Sequence, residues 1–105
     1  MKLWLDDLKA APEGWFHVKT AGQAIAALDT GEVEEASLDY DILWDPGGSA
    51  KDWENTRTGM AVVLHMERTN RWPVLGVAVH SANKEGKARM EEVLRRNHCL
   101  KTTSS

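Results

Sequence analysis

Leu3-Trp4-Leu5-Asp6-Asp7 is an apolar run that stops abruptly on two adjacent carboxylates. Three apolar residues bounded by polar ones predict a short buried strand, Leu3 to Leu5, with the acids where the strand leaves the core. Two later stretches repeat this design, Leu38-Asp39-Tyr40-Asp41 and Val79-His80-Ser81-Ala82-Asn83. In an open parallel sheet the carboxyl ends of neighbouring strands border one crevice, and ligands bind there. Segments far apart in sequence are thereby predicted to converge on a single site.

The rest of the chain is predicted to supply the alternation such a sheet requires. Leu8 to Trp15 contains Pro12 and Gly14 and reads as a loop or irregular turn. Phe16-His17-Val18 is a second strand. Thr20 opens a helix, with Gln23 three residues on to complete a capping box. Ala24, Ile25 and Leu28 form its apolar stripe and Gly31 ends it. Val33 to Leu38 is a third strand. Residues 41–57 are a long polar stretch with Pro46, Gly47, Gly48, Trp44 and Trp53, a length that is usually either functional or mobile. Thr58 caps a helix to about Thr69 with Met60, Val63 and Leu64 on one face. Pro73 to Val79 reads as a central strand covered on both faces, and a last helix spans roughly Lys84 to Asn97 with Met90, Val93 and Leu94 inward. Strands joined by helices predict a parallel α/β sheet. The expectation is one domain over residues 1–100, a four-stranded sheet in the order 2-1-3-4, and a frayed tail over 101–105.

Composition narrows the function classes. At 105 residues, 42% hydrophobic and 28% charged, the sequence is that of an ordinary single globular domain. No apolar run reaches the length of a bilayer span, and acids interrupt the first apolar stretch too early for a secretory signal. The single cysteine, Cys99, gives neither a disulfide framework nor a thiolate metal site, and a reducing cytoplasm is the economical expectation. Residues 1–54 hold four Lys/Arg against twelve Asp/Glu, and residues 55–105 hold nine against four. A chain so divided is not a general duplex nucleic-acid binder, which carries a basic excess. The same division also describes a solvated acidic face opposite a basic helix.

Asp6, Asp7 and Asp39 together make a hard-oxygen site suited to Mg²⁺ or Mn²⁺. Crowded carboxylates repel one another, and a divalent ion relieves the repulsion. The plainer alternative is that Asp6 or Asp7 only caps the following turn. Ser81 or Asn83 can cap the last helix, whose free N–H groups form an anion site that Lys84 can reinforce. His80, with an intrinsic pKa near neutrality, is a candidate acid/base, although a histidine at a strand end is commonly structural. His17, His65 and His98 have no metal-ligand spacing and receive no chemistry. Trp4, Trp15 and Trp72 are core candidates; Trp44 and Trp53 can either anchor their loop or close over a ligand.

These residues resemble the receiver domain, the phosphoacceptor module of two-component signalling. On that resemblance Asp6 and Asp7 fall on the metal-binding acid pair, Asp39 on the phosphoacceptor, Ser81 on the hydroxyl residue and Ala82 on the small residue after it. Asp41 falls where a receiver offers a backbone carbonyl to the metal. The sequence is more similar to an offshoot, the cyclic-phosphate-processing receiver-like domains. The similarity rests on Leu3-Trp4-Leu5-Asp6-Asp7, Pro12-x-Gly14-Trp15, Val18-Lys19-Thr20, Ser37-Leu38-Asp39-x-Asp41 and His80-Ser81-Ala82-Asn83, and spans roughly residues 2 to 90. It implies a flavodoxin-like fold and an activity on cyclic phosphates of nucleotides or RNA-derived products. The chain departs from a true receiver in lacking a helix after the acid pair and a fifth strand with its lysine, and in its long Trp-bearing loop.

The leading expectation is metal-dependent hydrolysis of a cyclic phosphate. Asp6, Asp7 and Asp39 would hold the ion, and Asp41 or His80 would move the proton. Ser81, Asn83, Lys84 and the helix N-terminus would hold the phosphate. Two alternatives stand beside it. One is a sensor or sponge that binds a cyclic nucleotide without turnover. The other is a receiver-like module that meets a protein partner through Lys87, Arg89, Arg95 and Arg96.

Overall fold

In a computed structural model, which describes residues 1–42 and 58–101, the chain forms β1 (Lys2–Leu5), β2 (Trp15–Val18), α1 (Ala21–Asp29), β3 (Glu35–Leu38), α2 (Gly59–Thr69), β4 (Val77–Val79) and α3 (Lys84–Arg96). The four strands are parallel and lie in the order β2-β1-β3-β4, as the sequence predicts. This is the receiver-like, flavodoxin-like α/β arrangement. Of the expected long loop over 41–57, residues 43–57 with Trp44 and Trp53 lie outside the described residues, as do 102–105 of the expected tail.

Handedness explains where the helices go. The connections β2–β3 and β3–β4 both advance in the same direction across the sheet, and right-handed crossovers put their helices on the same face. There Leu3, Leu5, Val18, Ala36, Leu38, Val77 and Val79 pack in one core with residues of α1, α2 and α3. The connection from β1 to β2 moves the opposite way and is a loop, not a helix. Strand alternation turns Lys2, Trp4, Trp15, His17 and Ser37 to the other face.

The caps follow from local chemistry. Thr20 Oγ1 accepts from Gln23 N–H at 3.1 Å, while the Gln23 side chain accepts from Lys19 N–H rather than from the cap's own amide. Thr58 Oγ1 accepts from Met60 N–H, and Asn83 Oδ1 accepts from Gly86 N–H at 3.0 Å. The second helix buries Gly59, Val62, Val63 and Met66 at i, i+3, i+4, i+7, a regular stripe. Of the residues expected inward, Val63 is buried but Met60 and Leu64 are only half-buried. The stripe begins at a glycine, which carries no apolar signal. The packing of α2 on α3 is reinforced at its edge by Arg96, whose guanidinium donates two hydrogen bonds to Glu67 at 2.9 and 3.0 Å. His65, half-buried, bonds Asp29 at 2.8 Å and joins α2 to the end of α1.

The sheet departs from expectation at one margin. Of Pro73 to Val79 only the last three residues are strand. Gly76 takes φ +92° and its N–H closes a turn on the Pro73 carbonyl, leaving Val74 and Leu75 in solvent. An apolar run with a glycine inside it becomes a turn followed by a strand because left-handed backbone is open to glycine at little cost. Beyond α3 the chain returns to the sheet. Val77 N–H donates to the Cys99 carbonyl, Lys101 N–H donates to the Val77 carbonyl, and Leu100 bridges Val77 in parallel. Pairing beside β4 thus begins where a frayed tail was expected, although the described residues contain only this one bridge and no fifth strand. Cys99 is a buried free thiol, and no helix among the described residues is long and apolar enough to cross a membrane.

Candidate functional site

Three ladder hydrogen bonds set the site one residue past the strands. Asp6 N–H donates to the Val18 carbonyl, Asp39 N–H to the Leu5 carbonyl and His80 N–H to the Leu38 carbonyl, at 2.9 to 3.1 Å. Parallel pairing in register therefore delivers Asp6, Asp39 and His80 side by side at the carboxyl edge. Oxygens of Asp6, Asp7 and Asp39 all lie within 4.8 Å of one another, so the three predicted acids do converge.

Asp6 is the hub of this edge. Its carboxylate is buried, with Oδ1 accepting from the Leu8 and Lys9 amides at 2.8 Å each and Oδ2 bonded to His80 Nε2 at 3.0 Å. Its carbonyl accepts from His17 Nε2 at 2.7 Å. Burial raises the pKa of the Asp6 carboxyl, but the Lys9 and Leu8 amides and His80 together overcome it and hold the group below the usual carboxylate range. Asp39 moves the other way. Its own burial is the main cause, and the negative charge of Asp6 adds to it, against a hydrogen bond from Ser81. Two acids at one edge are thus driven apart, one firmly ionised and one held upward.

His80 is clamped on three sides. Its Nδ1 bonds Ser37 Oγ at 2.7 Å, its Nε2 bonds Asp6, and its ring stacks on Trp4 with centroids 3.9 Å apart and planes 7° apart. An ionised carboxylate only accepts, so Nε2 carries the proton and Ser37 donates to Nδ1. Burial lowers the histidine's pKa, in spite of Asp6 and Asp39, and favours this neutral form. Trp4 also meets Trp15 edge-on at 5.9 Å and donates from Nε1 to the Lys9 carbonyl at 3.2 Å. Trp4 and Trp15, expected in the core, instead stand half-buried on the other face, where Trp4 supports the site.

The remaining predicted residues divide. Asp41 is exposed, with its Oδ1 3.5 Å from the Asn83 amide. Ser81 donates to Asp39 and accepts from the Asn83 amide N–H. A cavity of about 190 Å³ is bordered by Asp6, Leu8, Lys9, Asp39, Asp41, His80, Ser81 and Ala82. Asn83 reaches this group through Asp41, and its side chain is committed to capping α3. Lys84 is exposed and does not border the cavity. A larger groove of about 430 Å³ between β2 and α1 gathers no acids.

Four participants, Ser37, Trp4, His17 and Lys9, carry little or no signal of their role in the sequence. Ser37 was the most detectable, because a hydroxyl within an apolar strand must find a partner when buried. Trp4 has the composition of a core residue, and His17 has no metal-ligand spacing to mark it. Lys9 gave no signal beyond its nearness to the acid pair.

The donor set suits a small hard cation on one further observation. Asp7 Oδ1 is buried and accepts no hydrogen bond, a costly condition for a carboxylate oxygen unless a cation faces it. Asp7, Asp39 and the remaining lone pair of Asp6 Oδ2 are the atoms that could hold a divalent ion. The family model described as the cyclic-phosphate processing receiver domain matches residues 1–96. The chain belongs to that family. No curated protein and no solved structure matches it. The match covers all seven elements of this receiver domain, including the acid edge and the β4–α3 turn.

Proposed function

We propose that this receiver domain hydrolyses a cyclic phosphate at the acid edge, with a divalent ion, Mg²⁺ or Mn²⁺, held by Asp6, Asp7 and Asp39. The observation that carries this reading is the convergence of those three acids around an unpartnered buried oxygen of Asp7. When bound, the ion supplies positive charge to a phosphoryl oxygen and lowers the pKa of a coordinated water. The protein's own groups do the rest. Asp41, exposed at the cavity, takes the proton from the attacking water. The new P–O bond forms as one ring ester bond breaks, and the freed alkoxide takes its proton from solvent. Ser81 turns from Asp39 to the phosphate, with the N-terminus of α3 behind it.

His80 has a different part in this reading from that of a mobile acid/base. Both ring nitrogens are spent on Asp6 and Ser37, so it orients Asp6 as a positioning residue. The interaction-surface alternative is weakened by its own cations, since Arg96 is paired with Glu67 and Arg89 with the Tyr40 hydroxyl.

Phosphorus NMR of the protein with Mg²⁺ and a panel of 2′,3′- and 3′,5′-cyclic phosphates tests the proposal over hours. A ring-opened monoester is the expected product, absent with Asp39→Asn and slowed about a hundredfold or more with Asp41→Asn. Shifted resonances without product would make the domain a sensor or sponge. Unchanged spectra would remove the acid edge from cyclic-phosphate chemistry altogether.

A further inference from the structure

The acid edge poses a problem for the ligand assigned to it. A cyclic phosphodiester is an anion, yet Asp6, Asp39 and Asp41 border the same cavity. Among the described residues bordering it, Lys9 is the one lysine or arginine. Its placement is fixed by main chain. The Leu8 and Lys9 amides both donate to Asp6 Oδ1, and the Lys9 carbonyl accepts from Trp4 Nε1. With backbone tied down on the acid side, both side chains stand outward, exposed at the rim.

Among the described residues, neither side chain is committed to an ion pair or to the core. The Lys9 ammonium forms no ion pair among the described residues, even with the nearby aspartates. Leu8 is 90% exposed, the most open of the large apolar side chains exposed among the described residues. An exposed leucine means little by itself. Beside a charged cavity, and next to an unpaired lysine on a clamped turn, it gives the rim a cationic point and an apolar surface. A nucleoside cyclic phosphate presents the matching pair, an anion and the flat π-face of a base.

Resting on the function proposed above, we infer that the Leu8–Lys9 turn is the substrate-recognition element, Lys9 pairing with the phosphate and Leu8 packing against a nucleobase on the same ligand. The site thereby selects nucleoside cyclic phosphates over cyclic phosphates without a base.

Amide chemical-shift titrations with Mg²⁺ at fixed ionic strength test this, using adenosine 2′,3′-cyclic phosphate, its 3′,5′ isomer and base-free ethylene phosphate. Lys9→Met should weaken binding of the cyclic nucleotides about tenfold or more, the loss of one charge-assisted contact, and Lys9→Arg should stay within about threefold. Leu8→Ser should weaken the adenosine ligands and leave ethylene phosphate unchanged. These variants keep every main-chain bond of the turn, so an intact amide spectrum is expected throughout. Tight binding by Lys9→Met, with the wild-type protein binding normally, would overturn the role of Lys9 and leave the acid-edge reading standing. An equal loss for ethylene phosphate in Leu8→Ser would overturn base recognition. Failure of the wild-type protein to bind any of the three would sink the parent reading and this inference with it.

Discussion

The two ends of the parallel sheet treat buried charge in opposite ways. At the amino end, Glu35 is buried and Lys101 Nζ meets its carboxylate at 2.6 Å. The N-terminal ammonium is likewise bound there by the Glu32 carbonyl. At the carboxyl end, Asp6, Asp7 and Asp39 crowd together with no lysine or arginine paired to them among the described residues, and one Asp7 oxygen has no partner. Crowding like charges at an edge where one acid is buried and two are half-buried is expensive, and such clusters are found preferentially at functional sites. The amino end is finished as a structure. On the function proposed above, the carboxyl end is finished by a ligand.

The sharpest way to break this contrast is to disturb the packing that sets the carboxyl edge. A Cβ on Gly59 would fall on the carbonyl oxygen of Asp39 and against the Met90 methyl, so α2 sits on the acid's own backbone. Its first amide also donates to the Tyr40 carbonyl at 3.1 Å. Gly59→Ala must push the helix or the strand end aside. We expect a loss of roughly 3 kcal/mol, at the upper end for overpacking because backbone cannot yield as a side chain can, read by urea unfolding. A smaller displacement at the amino end would leave the acids in place. Wild-type stability in Gly59→Ala would show that the edge is soft and not held by α2.

Removing the cation at the other end should be milder. Lys101→Met keeps the stem but leaves the Glu35 carboxylate buried without its partner, at a cost of about 1–2 kcal/mol. Adding Glu35→Gln should restore much of that loss. A double variant no better than Lys101→Met would mean that the pair does not balance this end.

The contrast between the ends also explains what could be read from the sequence. Strand order and the meeting of Asp6, Asp7 and Asp39 were legible because parallel register is set by apolar runs, and each run ends on its polar residue. Contacts made across the sheet were not. The Trp4–His80 stack and the Ser37–His80 bond join residues 76 and 43 apart in sequence, on a face whose alternation is hidden in strands of three or four residues. Lys101 reads as tail by composition. Only the turn at His98, with φ +56°, brings Leu100 back beside Val77. That return depends on tertiary hydrogen bonds, which leave no local signature.

The smallest effect tests the contrast most directly, because its sign is unusual. The pKa of Asp39 is raised above its ordinary value of 3.8 in the fold, chiefly by burial. The fold therefore favours its protonated form: this stability is fully present below pH 3.8 and is lost as pH rises through the folded pKa. Asp6, depressed in the fold, contributes in the opposite sense, above 3.8, and loses that contribution as pH falls through its folded pKa. His80, also depressed, stabilises the fold above its ordinary 6.5 and less as pH falls below it. Asp39→Asn removes the first of these and, by taking away a negative charge that favours protonated His80, lowers the His80 pKa a little further. The variant should match the wild-type protein at pH 3 and melt higher at pH 7, while losing activity. Magnesium should reverse the ranking, since an ion that binds the ionised acids stabilises the wild-type protein by about 1.4 kcal/mol at tenfold excess over its dissociation constant and does less for the variant. A variant that melts lower than wild type at pH 7 without metal would mean that Asp39 is stabilised where it lies, and the carboxyl edge would then be as finished as the amino one.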